Sequence, residues 1–236
     1  MSDDKDTEEL EEGTLLSHLI ELRSRLIKMF AAVIGVFILL LPFANRIFEV
    51  VAKPLVAVLP GQKMIATSVT APLLTPFKLT FFVAILIAIP VVLYQLWAFV
   101  APGLYRKEKR FAFPLLFSSI FLFYAGAAFA YFVVFPLVFG FFVKITPTDV
   151  EMTTDISQYL DFVTMIVLAF GLAFETPIAT VLTVWTGLTT PEKLGKARPY
   201  VFLLAFVIGM LLTPPDVISQ TLLAVPAVSY THLTLP

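Results

Sequence analysis

The chain has no cysteine, and only two histidines, His18 and His232, in 236 residues. Without cysteine there is neither a disulfide nor a thiolate nucleophile or ligand. With the two imidazoles at opposite ends of the chain, no metal-ligand spacing forms and no Ser-His-Asp set is available. There is no phosphate loop and no His-Glu-His helix. Enzyme chemistry and a bound cofactor are therefore not expected, and energy for any vectorial work has to come from outside the chain. Charge is also scarce. Only 14% of residues are charged, against about a quarter in a soluble domain. The net charge of -1 gives no sign of nucleic acid as a partner. Residues 79–105 and 111–143 contain no charged side chain at all.

What is present is apolar: 59% of the chain is hydrophobic and 24 residues are phenylalanine. Uncharged runs of this length imply an all-α integral membrane protein forming one transmembrane domain. Residues 1–14 form an acidic tail. A secretory signal peptide begins basic, so the first apolar run reads as a retained span. Leu15, Leu19, Leu22 and Leu26 recur at helical spacing and predict an interfacial turn leading into that span. Six spans are expected, at about 26–43, 78–100, 111–135, 162–185, 199–212 and 217–228. Residues 45–77 carry several prolines and read as a long connection with small helices against the bilayer. Pro90 lies within the second span and should kink it. The charge-free run 111–143 would be about 50 Å long as one helix, against a hydrocarbon core of about 30 Å, so Pro136 is expected to end or bend it. Residues 146–161 read as a polar loop. The fifth span reaches only about 21 Å, and the sixth is also short, which implies local bilayer thinning.

Lys and Arg counts orient the chain. With the N-terminus cytoplasmic, eleven fall on the cytoplasmic side and five on the other. The positive-inside rule favours that arrangement, with both termini inside. Trp97 and Trp185 then fall at the cytoplasmic boundary as belt aromatics.

Several polar residues invite two readings. Glu108 lies within RKEKR, where it either softens a like-charge cluster or offers a rim carboxylate to a guanidinium. Glu21 either pairs with Arg25 at i,i+4, contributing about 0.3–0.5 kcal/mol, or is a second such acceptor. Phe99 alone reads as a belt aromatic, and Arg23 as a positive-inside anchor. Glu175 is a mid-span charge costing about 3 kcal/mol on insertion scales, so it should face a bundle interior or a wet cavity. It either braces the kink at Pro177 or forms a polar functional site. Asp216 suits an N-cap for the sixth helix, and Gln220 follows one turn later on the same side. Pro54, Pro90 and Pro177 read as structural. Polar residues gathered at the rims favour docking of other chains over the midplane pocket of a small-solute transporter. The lack of a nucleophile–base pair disfavours an intramembrane enzyme.

Four segments carry a family resemblance: SHLIELRSRL (residues 17–26), YQLWAFVAPGLYRKEKR (94–110), FGLAFETP (170–177) and GMLLTPPD (209–216). Together they resemble the TatC family, the polytopic subunit of the twin-arginine protein translocase. The resemblance implies a cupped bundle of six transmembrane helices, with the fifth and sixth short, in the bacterial cytoplasmic (inner) membrane. It implies a core receptor that binds twin-arginine signal peptides at its cytoplasmic face. With TatB and TatA, in a complex holding several copies of the chain, such a receptor exports folded proteins using the proton-motive force. Under this resemblance Glu21, Arg23, Phe99, Leu104, Tyr105 and Glu108 form the signal-peptide surface, and Glu175 is an intramembrane polar site on the concave face. Met210, Thr213, Asp216 and Gln220 form the docking site for TatA and TatB helices. Residues 229–236 (SYTHLTLP) depart from the family pattern and read as an atypical, non-native tail.

Overall fold

The computed structural model describes residues 3–58, 64–100, 112–147 and 153–185, with isolated positions at 187, 189, 190, 192, 193 and 199. Among the described residues every regular element is helical, apart from one β-bridge between Ile65 and Asp155. The elements are α1 (Asp3–Leu40), α2 (Ala44–Val58), α3 (Ala71–Val100), α4 (Ala112–Phe129), α5 (Phe135–Ile145), α6 (Ile156–Phe174) and α7 (Thr176–Trp185). Four helical stretches are long and apolar enough to cross a membrane: His18–Ala57, Ala71–Phe99, Phe113–Ile145 and Ile156–Phe174. In lipid the backbone must satisfy its own hydrogen bonds, so helix is the conformation these runs can adopt. The chain is an all-α, multi-span membrane protein. The expected spans at 199–212 and 217–228, and the tail at 229–236, lie outside the described residues.

Three boundaries differ from the sequence expectation. First, α1 is continuous from Asp3, within the acidic stretch read as a tail, through the residues read as an interfacial turn. No proline interrupts residues 3–40, and the helix gives way to a 3-10 turn (Leu41–Phe43) where Pro42 enters. Second, Pro136 does not end its helix. A π-helical turn at Ala130–Val134 precedes it, and Pro136 sits in the first turn of α5, which continues to Ile145. The wider turn accommodates a residue that has no N–H and whose ring crowds the preceding turn. Third, α6 begins at Ile156, inside the stretch read as a polar loop. Asp155 caps it, accepting from the backbone N–H groups of Ser157 (2.8 Å) and Gln158 (3.1 Å).

The same carboxylate ties two connections together. Its second oxygen accepts from Thr67 Oγ1 at 2.7 Å and Thr67 N at 2.9 Å. The β-bridge adds Ile65 N to Thr154 O (3.0 Å) and Ile156 N to Ile65 O (2.9 Å). The Thr67 hydroxyl first, then the backbone donors, hold the Asp155 carboxyl down at about 2, from its ordinary 3.8.

Packing is layered around α3 and α6. α1 lies along α3, α4 crosses α6, and α2 bridges α3 and α5. Much of α1 from His18 to Leu40 faces outward; Leu19, Leu26, Phe30 and Leu39 are all more than half exposed, as suits a helix facing lipid or partner chains. The buried core gathers Leu55 of α2, Phe135, Val138 and Phe139 of α5, and Tyr159, Val163, Ile166 and Phe170 of α6. Phe139 has ring contacts with Phe135, Tyr159 and Phe162 at centroid separations of 5.7 to 5.8 Å.

Two of the prolines read as structural, Pro54 and Pro90, share one device. A proline inside a helix leaves the carbonyl four residues earlier without its usual donor. For Pro54 that carbonyl is Val50 O, and Tyr131 Oη donates to it at 2.7 Å. For Pro90 it is Leu86 O, reached by Tyr124 Oη at 2.9 Å. Pro177 differs: it sits in the first turn of α7, and Ala173 O accepts from the Glu175 backbone N–H as well as from Thr176 Oγ1 at 2.7 Å. A hydroxyl thus supplies the donor that Pro54 and Pro90 each remove.

Candidate functional site

Two polar clusters stand out. The first lies at the rim where α3 ends beside the middle of α1, at the start of its apolar stretch. His18 and Phe99 bring their rings to 4.9 Å with a 40° tilt. One turn on from His18, Glu21 accepts from Arg25 through a single oxygen: Nε donates at 2.9 Å and Nη2 at 2.5 Å. Arg25 also crosses to α3, donating from Nη2 to Ala98 O (3.0 Å) and from Nη1 to Gln95 Oε1 (3.3 Å). The Glu21 side chain is 35% exposed and that of Arg25 is 19%. The i,i+4 pair weighed from sequence is therefore present, and two further contacts from Arg25 join it to α3. Arg23 is exposed and Phe99 half-buried at this same rim. Leu104, Tyr105 and Glu108 lie outside the described residues.

The second cluster surrounds Glu175, which forms the turn between α6 and α7 with φ -76° and ψ -11°. Ser119 Oγ of α4 donates to Glu175 Oε2 at 2.7 Å. Glu175 Oε1 is buried and has no hydrogen-bond partner among the described residues. Both side chains line a cavity of about 200 Å³ whose other walls are Leu93, Leu96, Trp97, Ile178, Ala179 and Leu182. Trp97 is only 6% exposed, and it turns inward onto this cavity. One free carboxylate oxygen in an apolar recess can accept one donor, such as a hydroxyl, an amide or water.

Sequence reasoning missed Ser119, Gln95 and the His18–Phe99 contact. A Ser118–Ser119 pair in a charge-free run was the available signal for Ser119. No group of three or more His, Asp or Glu side chains suited to a metal occurs among the described residues. The docking residues Met210, Thr213, Asp216 and Gln220 lie outside the described residues.

Comparison with known proteins identifies the family. The profile for Sec-independent protein translocase protein (TatC) matches residues 17–226. The chain belongs to the TatC family. It is 56% identical over 217 residues to the Sec-independent protein translocase protein TatC of Haemophilus influenzae, covering 92% of this chain and 85% of that protein. With the same-named protein of Escherichia coli it is 57% identical over 213 residues, covering 90% and 83%. A crystal structure of a twin-arginine translocase receptor, TatC, superposes with a TM-score of 0.80 at 40% identity, covering 92% of this chain and 96% of that one. TatC-family proteins are translocase components rather than enzymes. That accords with the lack of a nucleophile and base placed together in the sequence.

Proposed function

We propose that this chain is the receptor subunit of a twin-arginine translocation system. It binds twin-arginine signal peptides at a cytoplasmic rim and, with TatA and TatB, exports folded proteins at the expense of the proton-motive force. In this reading the chain sits in the bacterial inner membrane with its N-terminus in the cytoplasm, and several copies share one complex. The supporting observation is that Arg25 joins Glu21 to the end of α3 beside Phe99, at one rim of a chain 40% identical to a solved twin-arginine translocase receptor. Glu21 and Glu108 are the two guanidinium acceptors, and Phe99, Leu104 and Tyr105 supply apolar contact. Carboxylates at a membrane edge suit this task because guanidinium pairs with them through directed, charge-assisted bonds. Met210, Thr213, Asp216 and Gln220 take the partner helices.

Site-specific crosslinking of a twin-arginine signal peptide tests the acceptor assignment. Glu21→Gln and Glu108→Gln should each weaken crosslinking and export. Normal crosslinking and export in both variants would overturn it. Crosslinks between cysteines placed on the Met210–Gln220 stretch and on TatB test the docking assignment. The Glu175 recess contributes a polar position inside the membrane for the transport step or a partner helix, a role its unpaired oxygen supports. A Glu175→Ala variant that assembles and exports like the parent would remove that role.

A further inference from the structure

α2 lies at the opposite end of α1 from Glu21. The apolar helical stretch His18–Ala57 has 40 residues, about 60 Å of helix at 1.5 Å per residue, against a hydrocarbon core of about 30 Å. α1 takes up that thickness, so α2 sits at the far edge of the bilayer. Two hydrogen bonds hold one side of it to the bundle: Tyr131 Oη donates to Val50 O at 2.7 Å and Tyr159 Oη to Val51 O at 2.8 Å. Another side is open. It carries Val56, 51% exposed, beside the exposed Glu49 and Lys53. Apolar and charged side chains mixed on one exposed face suit the headgroup layer better than water or hydrocarbon alone.

Glu49 and Lys53, one turn apart on α2, both line a hollow of about 760 Å³ that includes Ala52, Val56, Met64 and Ile156 as an apolar floor. That volume falls within the range of ligand sites, about 300–1,000 Å³. Glu followed by Lys at i+4 is the favoured order for an ion pair on a helix. Yet neither side chain has an ion-pair or hydrogen-bond partner among the described residues. A carboxylate and an ammonium thus stand free, side by side, over apolar surface. We propose that this hollow binds the headgroup of a phosphatidylethanolamine-type lipid. The lipid's primary ammonium meets Glu49, its phosphate meets Lys53, and its glycerol end lies along the apolar floor. The site offers one anion and one cation, and this headgroup carries one of each. An anionic lipid without an amine can use Lys53 but meets Glu49 as a like charge. A choline lipid has a quaternary ammonium with no N–H to donate, whereas a primary ammonium has three. A lipid held here fastens α2 to one leaflet.

The test titrates the full chain in detergent with phosphatidylethanolamine, phosphatidylcholine and phosphatidylglycerol of matched acyl chains, read by native mass spectrometry. In the parent the first phosphatidylethanolamine should bind about threefold more tightly than either other lipid. Glu49→Gln should abolish the preference over phosphatidylglycerol, and Lys53→Gln should weaken both of these lipids. Arg46→Gln removes the same charge from an exposed position one turn before Glu49 that does not line the hollow, and it should leave the preference intact. Equal affinities for the three lipids in the parent, or a preference for phosphatidylglycerol, would overturn the proposal. So would a phosphatidylethanolamine preference that survives Glu49→Gln. Equal losses in Lys53→Gln and Arg46→Gln would also overturn it, by making the effect one of general surface charge. A photoactivatable phosphatidylethanolamine should crosslink to residues 44–58 in the parent and less in the Glu49 and Lys53 variants; crosslinks confined to other segments would refute the placement.

Discussion

The pairing of prolines with hydroxyls can be measured as a coupling. Tyr124 Oη donates at 2.9 Å to Leu86 O, the carbonyl that Pro90 deprives of its helical donor. Tyr124→Phe removes one oxygen and leaves the ring in place. An interhelical side-chain hydrogen bond in a membrane averages about 0.6 kcal/mol, and an unsatisfied buried acceptor costs about 1–3 kcal/mol. The substitution should therefore destabilise the protein by about 1–2 kcal/mol, or roughly 2–8 °C in Tm for a domain of this size. In a Pro90→Ala background the backbone N–H restored at that position can reach Leu86 O, and the same substitution should cost less than about 0.5 kcal/mol. The coupling energy from the cycle is then about 1 kcal/mol. The assay is reversible unfolding of the purified chain in bicelles, with all four proteins measured under one lipid composition. Tyr131→Phe with Pro54→Ala is an independent second cycle, because Tyr131 donates to Val50 O at 2.7 Å. A Tyr124→Phe cost that is the same in the parent and in the Pro90→Ala background would refute the reasoning, and so would no cost in the parent.

Three other perturbations have defined outcomes. At the α4–α6 crossing a Cβ on Gly126 would lie 2.5 Å from Phe170 O, whereas one on Gly35 would meet nothing within 4 Å. Gly126→Ala should cost about 1–3 kcal/mol from overpacking and Gly35→Ala should be neutral or stabilising by up to about 1 kcal/mol; equal unfolding midpoints for the two would contradict the crossing geometry. The Asp155 carboxyl is held down at about 2, from an ordinary 3.8, so its contribution to stability is complete above about pH 4 and disappears as pH falls through 2. Asp155→Asn should flatten the acid limb of a stability–pH curve between those values, and a curve parallel to the parent's would exclude this role. Because Glu175 Oε1 is buried without a partner, Glu175→Leu should keep or raise the unfolding midpoint while lowering export; lost stability with normal export would make the residue purely structural.

The long spans were legible because charge is absent from 79–105 and 111–143, and lipid leaves such runs little choice but helix. Pro54 and Pro90 were visible in the sequence as positions that remove a helical donor. Their hydroxyl partners were not: Tyr124 is 38 residues from Leu86, and Tyr131 is 81 from Val50. The Thr176 hydrogen bond to Ala173, three residues away, was within reach of local reasoning. The Glu21–Arg25 pair follows from i,i+4 spacing, but Arg25's grip on Gln95 and Ala98 spans 70 and 73 residues. The cap at Asp155 could have been read from Asp-Ile-Ser-Gln; the polar composition around it suggested loop instead. The inward facing of Trp97 was not legible, because it depends on the rotation of α3, which packing sets and composition does not.

The α4–α6 crossing shows why rotation is hard to read in such helices. Ser119, Phe123 and Gly126 are spaced i, i+4 and i+7, so they form one stripe of α4. Each meets a successive position on the antiparallel α6: Ser119 bonds Glu175, Phe123 lies against Gly171, and Gly126 lies against Phe170. A helix that is apolar all round has no amphipathic signal to mark this stripe. The small and polar residues mark it instead, since close approach needs missing side chains and an intramembrane carboxylate needs a donor. The glycines and the Ser119–Glu175 bond are consequently one feature. The bond spans 2.7 Å only because Gly126 and Gly171 let the backbones approach. A methyl at Gly126 that pushes the helices apart should loosen it, and an effect on export through Glu175 would then appear without any change at Glu175 itself.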